Sequence, residues 1–371
     1  MSWMTDEIGN RDGAVSFRDF MELALYHPRH GYYNSERPRY GRRGDFLTAP
    51  TASLWYGRIL AGVVGRVAES TRPLAFVDVA SGDGSLISTL LSQLPRSAVD
   101  AVEVVSVERS PTMRAAQQRR FRELSVPVKV IASIDAIDRL SGPVVLHASE
   151  LYDAMPVHRV VQRQSALREF VVAATEGGGL SWREQQADHR LLQYFRDHGV
   201  TLEDDQIAAA NLQAREFHTR LLQMAGDDGL ALVLDYGYPA ARLYNPRGRA
   251  GGSLTAYRQH RVVTDLLSDP GLQDLTAHVN WDDLRRSADD VGWRDIALWP
   301  LAEFLVRAGL AQVVAREGLG IEADLDARTV AERQEIKRIL DPDGMGSDLK
   351  MLIQGRGTLA DIAEGLLAEQ V

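Results

Sequence analysis

The sequence predicts an α/β chain folded around a doubly wound parallel sheet, and three observations carry that expectation. Four short apolar runs, Ala75 to Ala80, Ala101 to Glu108, Val126 to Ala132 and Val144 to Ala148, follow one another closely, with helical patterns between them as in Leu86 to Leu94 and Met113 to Leu124. Such alternation is what a parallel sheet covered on both faces requires. The first run breaks into Ser81-Gly82-Asp83-Gly84-Ser85 before a helix. A strand, a glycine turn and a helix N-terminus let a nucleotide approach the backbone closely. The second run ends on Glu108, 24 residues after Gly84, where a carboxylate can accept from both ribose hydroxyls.

The remaining elements follow in chain order. From Ser16 to Tyr26 the residues Phe17, Phe20, Met21, Ala24 and Leu25 recur at helical spacing, with Ser16 as N-cap and Asp19 three residues on. His27 to Pro50 is rich in Gly, Pro, Tyr and Arg and reads as a long structured loop. The fifth strand, Leu230 to Tyr236, is delayed by about 80 residues. The delay holds two strands, Arg159 to Gln164 and Leu167 to Ala174, and polar helical sequence from Asp188 to Met224. It reads equally as a substrate-binding cap or as a second packing layer. A Gly- and Arg-rich segment, Tyr236 to His260, comes next, and Leu298 to Val371 alternates apolar and charged residues at helical spacing, suited to packing the domain or forming a homodimer. The expected divisions are residues 1–74 as an N-terminal helix and loop lid, 75–151 with 229–371 as the core, and 152–228 as an inserted cap.

Composition narrows the function. The 371 residues allow one large domain or two to three smaller ones with an ample core. A formal charge of −9, from 42 basic and 51 acidic side chains, disfavours broad nucleic-acid binding. The absence of cysteine excludes disulfide scaffolds, thiol catalysis, iron-sulfur clusters and Cys-type zinc sites, and is compatible with a reducing, cytoplasmic setting. No apolar run approaches the roughly 18 residues of a membrane helix, and Met1 to Gly13 is too polar for a signal peptide. Only three lysines stand among the basic residues, which reads as codon bias of a GC-rich, bacterial genome.

The ligand and its chemistry come from the strand ends. G-x-G-x-x-G is absent, and Asp83 would sit awkwardly beside a pyrophosphate, whereas a sulfonium is positive and phosphate-free. That favours S-adenosylmethionine over a dinucleotide, with Asp78 suited to hold the ammonium of its methionine moiety through water or directly, a helix-capping or turn aspartate being the alternative. The fourth strand opens into Ser149-Glu150-Leu151-Tyr152-Asp153-Ala154-Met155-Pro156-Val157-His158, and ligands of open α/β sheets bind beyond the carboxyl ends of strands. Glu150 and Asp153 are candidate bases or cation holders, and His158 a candidate proton acceptor. Asp153 as a turn cap and His158 as a satisfied surface histidine are the bland alternatives. No metal is expected, since His27, His30, His147 and His158 lack a compact ligand spacing. Tyr26, Tyr32, Tyr33 and Tyr152 suit an aromatic acceptor wall or contact with the sulfonium, while Trp281 reads as core.

These residues resemble the MidA-type S-adenosylmethionine-dependent methyltransferases, a family that includes mitochondrial assembly factors for respiratory complex I. The likeness runs from about Phe17 to Gly355 through Leu25-Tyr26-His27-Pro28, Gly31-Tyr32-Tyr33, Gly44-Asp45-Phe46-Leu47-Thr48-Ala49-Pro50, Val107-Glu108-Arg109-Ser110-Pro111 with Gln117, and Glu150 with Asp153-Ala154 and Pro156-Val157. Asp235-Tyr236-Gly237, Gly252 to Tyr257, Asp274 to Val279 and Asp341 to Gly346 follow in family order. The resemblance implies a class I methyltransferase (Rossmann-like) sheet with an N-terminal helical and loop lid and a large insertion after the fourth strand. It also implies that the Gly44 to Pro50 loop lies over the cofactor. The full set of expected cofactor contacts is Gly44, Thr48, Pro50, Asp78, Ala80, Gly82, Gly84, Glu108, Arg109, Ser133, Ile134 and Ser149, and the expected catalytic residues are Glu150, Asp153, His158 and Tyr26. Two departures stand out: Ala80 replaces the usual first motif glycine, and Ser149 replaces the asparagine before Glu150. Altered Ser149 and the aromatic content favour a small-molecule acceptor, such as an indole-type N-heterocycle of bacterial specialised metabolism. The family's founding activity, N-methylation of a protein arginine, is the alternative, and a non-catalytic assembly factor is the third.

Overall fold

Short Val- and Leu-rich runs bounded by turns become the strands of a central sheet in the computed structural model, which describes residues 2–35, 53–140, 142–259, 261–320, 324 and 326–368. The strands are β1 (Leu74–Val79), β2 (Val102–Val107), β3 (Val128–Ile131), β4 (Val144–Ser149), β5 (Gly229–Tyr238), β6 (Arg294–Pro300) and β7 (Leu349–Arg356). Their order is β3-β2-β1-β4-β5-β7-β6. The first five are parallel, and β7 runs antiparallel to both β5 and β6. The order turns back at β1, where β2 lies on one side and β4 on the other, and such a switch point is where open α/β sheets take ligands. Register sets Asp78 of β1 opposite Ser106 of β2 and His147 of β4.

The chain divides into two compact units. The sheet unit comprises Leu47–Leu151, Thr219–Tyr236 and Ala288–Val371. Its core joins Ile59, Leu60, Val63, Val64 and Val67 of the helix Leu54–Ser70 to Leu86, Ile87 and Leu90 of the helix Ser85–Gln93, and to Phe76, Val145 and Leu232 of the sheet. Ser53 caps the first of these helices by accepting from the Trp55 amide. That apolar face explains why the helix belongs with the sheet rather than with the N-terminal segment, as the sequence reading had it.

The mixed unit comprises Met1–Phe46, Tyr152–His218 and Gly237–Ser287. The expected amphipathic helix is present as Phe17–Tyr26, with the Ser16 hydroxyl accepting from the Asp19 amide. The two expected strands of the insertion appear as His158–Arg163 and Ala166–Ala174, paired antiparallel. The polar stretch after Asp188 is not continuously helical: helices His189–Asp197 and Ala214–Met224 are separated by the strand Ile207–Ala210. Its Ile-Ala-Ala-Ala sequence favours helix locally, but it completes a sheet edge by pairing with His158 to Val161. The segment after β5 joins this unit too, through the three-stranded sheet Arg261–Val263, Leu254–Arg258 and Asp274–Ala277. The C-terminal region expected to be helical does hold the helices Leu301–Arg307, Leu310–Arg316, Ala327–Ile339 and Gly357–Ala368, but it also supplies β7 and the end of β6 to the central sheet.

Candidate active site

The loop after β1 is built by strain and by bracing. Ala80, Gly82 and Gly84 all take left-handed backbone, at φ +59°, +55° and +78°. The glycines do so freely, whereas Ala80 pays a steric cost. A side chain at Gly84 would also meet the Phe121 ring at 2.5 Å. Gln117, fully buried on the helix Pro111–Phe121, clamps the turn by donating to the Gly82 carbonyl (2.7 Å) and the Ser81 hydroxyl (3.1 Å) while accepting from Ser106 (2.7 Å). Asp83 is taken up by the protein, accepting from the Ser85 amide at 3.0 Å and pairing with Arg120 at 2.6 Å.

Glu108 ends β2 beside this loop. One of its carboxylate oxygens accepts from the Gly82 amide (2.9 Å) and the other from the Ser110 amide (2.7 Å). Each carboxylate oxygen has a second lone pair, which suits a vicinal diol. Burial raises the Glu108 pKa to about 7, against the lowering pull of these two amides and of Arg114. Arg109 is exposed, and its carbonyl accepts from Arg114. Ser133 caps the short helix Ile134–Ala136 just beyond β3, and Ile134 is buried there.

Asp78 and His147 form a buried pair that sequence reasoning left unpaired. Asp78 Oδ1 lies 2.7 Å from His147 Nδ1, and His147 Nε2 lies 2.7 Å from the Tyr56 hydroxyl. Burial first, then the charges of Asp78 and Glu150, push the Tyr56 pKa well up. A protonated Tyr56 donates to Nε2, so Nδ1 carries the ring hydrogen and donates to Asp78. One oxygen of the Asp78 carboxylate is thus committed to the protein. Oδ2 remains buried and without a hydrogen-bond partner, as does the Ser149 hydroxyl at the end of β4. Glu150 follows at φ +52°, with its amide donating to the Leu234 carbonyl.

The other predicted catalytic residues belong to the mixed unit. Asp153 is buried, and its carbonyl accepts from the Ala277 amide. The Tyr26 hydroxyl donates to the Ala154 carbonyl at 2.9 Å, and its ring stacks on Tyr33. Tyr33 donates to Asp274, and the buried Tyr152 hydroxyl bonds His218 at 2.6 Å. The hydroxyls of Tyr26, Tyr33 and Tyr152 are thus engaged in internal hydrogen bonds. His158 is held by Glu169 at 2.6 Å, and Trp281 is fully buried, as a core residue should be. Gly44, Thr48 and Pro50 lie outside the described residues. Among the described residues there is no group of His, Asp or Glu able to hold a metal ion and no helix long and apolar enough to cross a membrane.

The loop, Glu108 and the unpartnered Asp78 and Ser149 oxygens fit S-adenosylmethionine. The sequence model of the S-adenosyl-L-methionine-dependent methyltransferase family matches residues 57–297. The chain belongs to this methyltransferase family. This methyltransferase is 26% identical over 385 residues to a protein named "Protein arginine methyltransferase NDUFAF7 homolog, mitochondrial" of Drosophila melanogaster, covering 94% of this chain and 83% of the relative. The Danio rerio protein of the corresponding name is 28% identical over 80% of this chain and 74% of its own length. A Burkholderia thailandensis protein crystallised with S-adenosyl-homocysteine superposes with a TM-score of 0.81 at 26% identity, over 95% of this chain and 90% of that one. The class I fold, the cofactor and the enzymatic class expected from the sequence are thereby established for this methyltransferase, and the reading as a non-catalytic scaffold gives way.

Proposed function

We propose that the methyltransferase transfers a methyl group to an arginine guanidinium of a protein. The observation that carries this reading is the placing of two acidic side chains at neighbouring strand ends: Asp78 near the end of β1, with Oδ2 unpartnered, and Glu150 directly after β4, which gives the ends of β1 and β4 a negative field. Such a field attracts a cationic acceptor as well as a sulfonium. The names of the Drosophila and zebrafish relatives point to the same acceptor. The indole-type small molecule favoured by the sequence reading draws no support from any of these relatives.

Bound S-adenosylmethionine supplies an electrophilic methyl whose bond to sulfur breaks as the bond to the acceptor nitrogen forms. Glu108 holds the ribose with its free lone pairs, while Asp78 Oδ2 and the Ser149 hydroxyl receive the methionine portion. Glu150 accepts a guanidinium N–H, fixes the nitrogen for in-line attack and takes up the proton released on transfer. Its left-handed backbone is the kind of strain that persists where a side chain must be aimed.

The test is transfer of labelled methyl from S-adenosylmethionine into an extract, split into protein and small molecules. Methylarginine in the protein hydrolysate is expected, and label confined to small molecules would overturn the reading. Glu150→Gln should cut kcat at least about 100-fold while S-adenosylhomocysteine still binds.

A further inference from the structure

From Tyr236 to Thr264 this acidic chain contains five arginines and no Asp or Glu. Arg258 is paired with Asp269, and the structure gathers three of the others in the mixed unit. Arg242 lies 4.4 Å and Arg249 4.2 Å from the centroid of the Tyr238 ring, so at most about 9 Å separates the two guanidinium carbons. Arg247 shares the short helix Pro246–Arg249 with Arg249.

The cluster is fixed in place without being neutralised. Arg249 donates to His278 Nδ1 at 3.2 Å, and the His278 ring meets Tyr238 edge-on. Burial first, then the Arg249 charge, push the His278 pKa down to about 4, so at neutral pH the imidazole accepts and adds no charge. Several arginines elsewhere are paired, Arg58 with Glu332, Arg120 with Asp83, Arg163 with Glu184 and Arg294 with Asp361, and what sets this cluster apart is the gathering of Arg242 and Arg249 on one ring. Arg242, Arg247 and Arg249 have no carboxylate partner among the described residues, and Asp282 nearby is spent on the Ala240 amide. Arg242 and Arg247 are exposed. Guanidiniums gathered on an aromatic platform and left unpaired match carboxylates arriving from outside, which they can grip in bidentate fashion.

We propose that Arg242 and Arg249, mounted on Tyr238, form together with Arg247 from the short helix of Arg249 a docking surface for an acidic segment of a partner protein. A nucleic acid fits less well, because its binding draws on extended phosphate neutralisation and the chain as a whole carries −9. At 0.1 M salt, screening over about 10 Å leaves a short acidic segment to respond to the cluster itself. That the partner is the methylated protein rests on the function proposed above; the docking itself does not require methyl transfer.

The full chain is titrated against fluorescein-labelled hexaglutamate by fluorescence anisotropy at 0.1 M and 0.5 M salt. Saturable binding is expected, weakened at least fivefold by the higher salt. R242Q/R247Q/R249Q should lose at least tenfold in affinity with unchanged Tm and S-adenosylhomocysteine binding. R119Q/R122Q/R139Q, which removes the same charge from exposed positions of the sheet unit, should stay within twofold of wild type. No binding by wild type, equal losses in both triple variants, or tighter binding of a hexathymidylate would each overturn the docking surface. Binding that survives alongside an absence of protein methylation would leave the surface standing and sink the arginine acceptor. Equal protein methylation by wild type and R242Q/R247Q/R249Q would sink the link between the surface and the substrate.

Discussion

Ala80 holds a left-handed backbone conformation, which costs an L-residue about 1–2 kcal/mol. Ala80→Gly should therefore stabilise the protein by about 1 kcal/mol after the entropy of glycine is subtracted, seen as a higher denaturation midpoint with cofactor affinity retained. Glu108 makes a different prediction. With its pKa raised from 4.5 to about 7, the folded protein keeps a proton that the unfolded chain releases, so this residue's contribution to stability declines as pH rises from 4.5 to 7. The ribose contact proposed for Glu108 calls for the ionised form, and on that proposal S-adenosylhomocysteine should bind about tenfold more weakly at pH 6 than at pH 8. Calorimetric titration of wild type and Glu108→Gln checks this, the variant being expected to lose the dependence. The place of Glu108 beside the turn was legible in the sequence because it depends on a local offset from the glycines. The engagement of Asp83 by Arg120 was not, because that partner lies 37 residues away.

The turn between β1 and its helix works only because Gln117, from a different helix, ties it to Ser106 of β2. Gly84→Ala would push a methyl group into Phe121 at a left-handed position, and should destabilise the protein by about 1–3 kcal/mol, measured by chemical denaturation. The Tyr56–His147–Asp78 chain links the helix Leu54–Ser70 to two neighbouring strands in the same way. His147→Phe strands the Asp78 carboxylate in the core and should cost about 3 kcal/mol or more, far beyond an ordinary core exchange. Within a run such as Val-Val-Leu-His-Ala, a histidine looks like an isolated polar intruder. Its meaning appears only once sheet order sets it opposite Asp78, and sheet order is a long-range property that periodicity does not carry. The same holds for β7, whose Lys-Met-Leu-Ile-Gln core differs little from a helical segment until its two neighbours are known.

Taken whole, the molecule follows the expected sheet in its five parallel strands, but the units interleave in a way that no composition shift announces. Each is assembled from three separate stretches of chain. Ligand binding reports on the sheet unit: at one hundred times its Kd, S-adenosylhomocysteine should add about 2.7 kcal/mol of stability, and hydrogen exchange should slow most in β1, β2 and β4. The position of β7 in this order also has a consequence during synthesis. β7 lies between β5 and β6 and is antiparallel to both, yet it emerges from the ribosome after them. Until residue 356 is translated, the nascent sheet keeps open hydrogen-bonding edges on both sides of the gap, and edges of that kind recruit other chains. A polypeptide stopped just short of Leu349 would hold every candidate cofactor ligand described here and still be prone to aggregate.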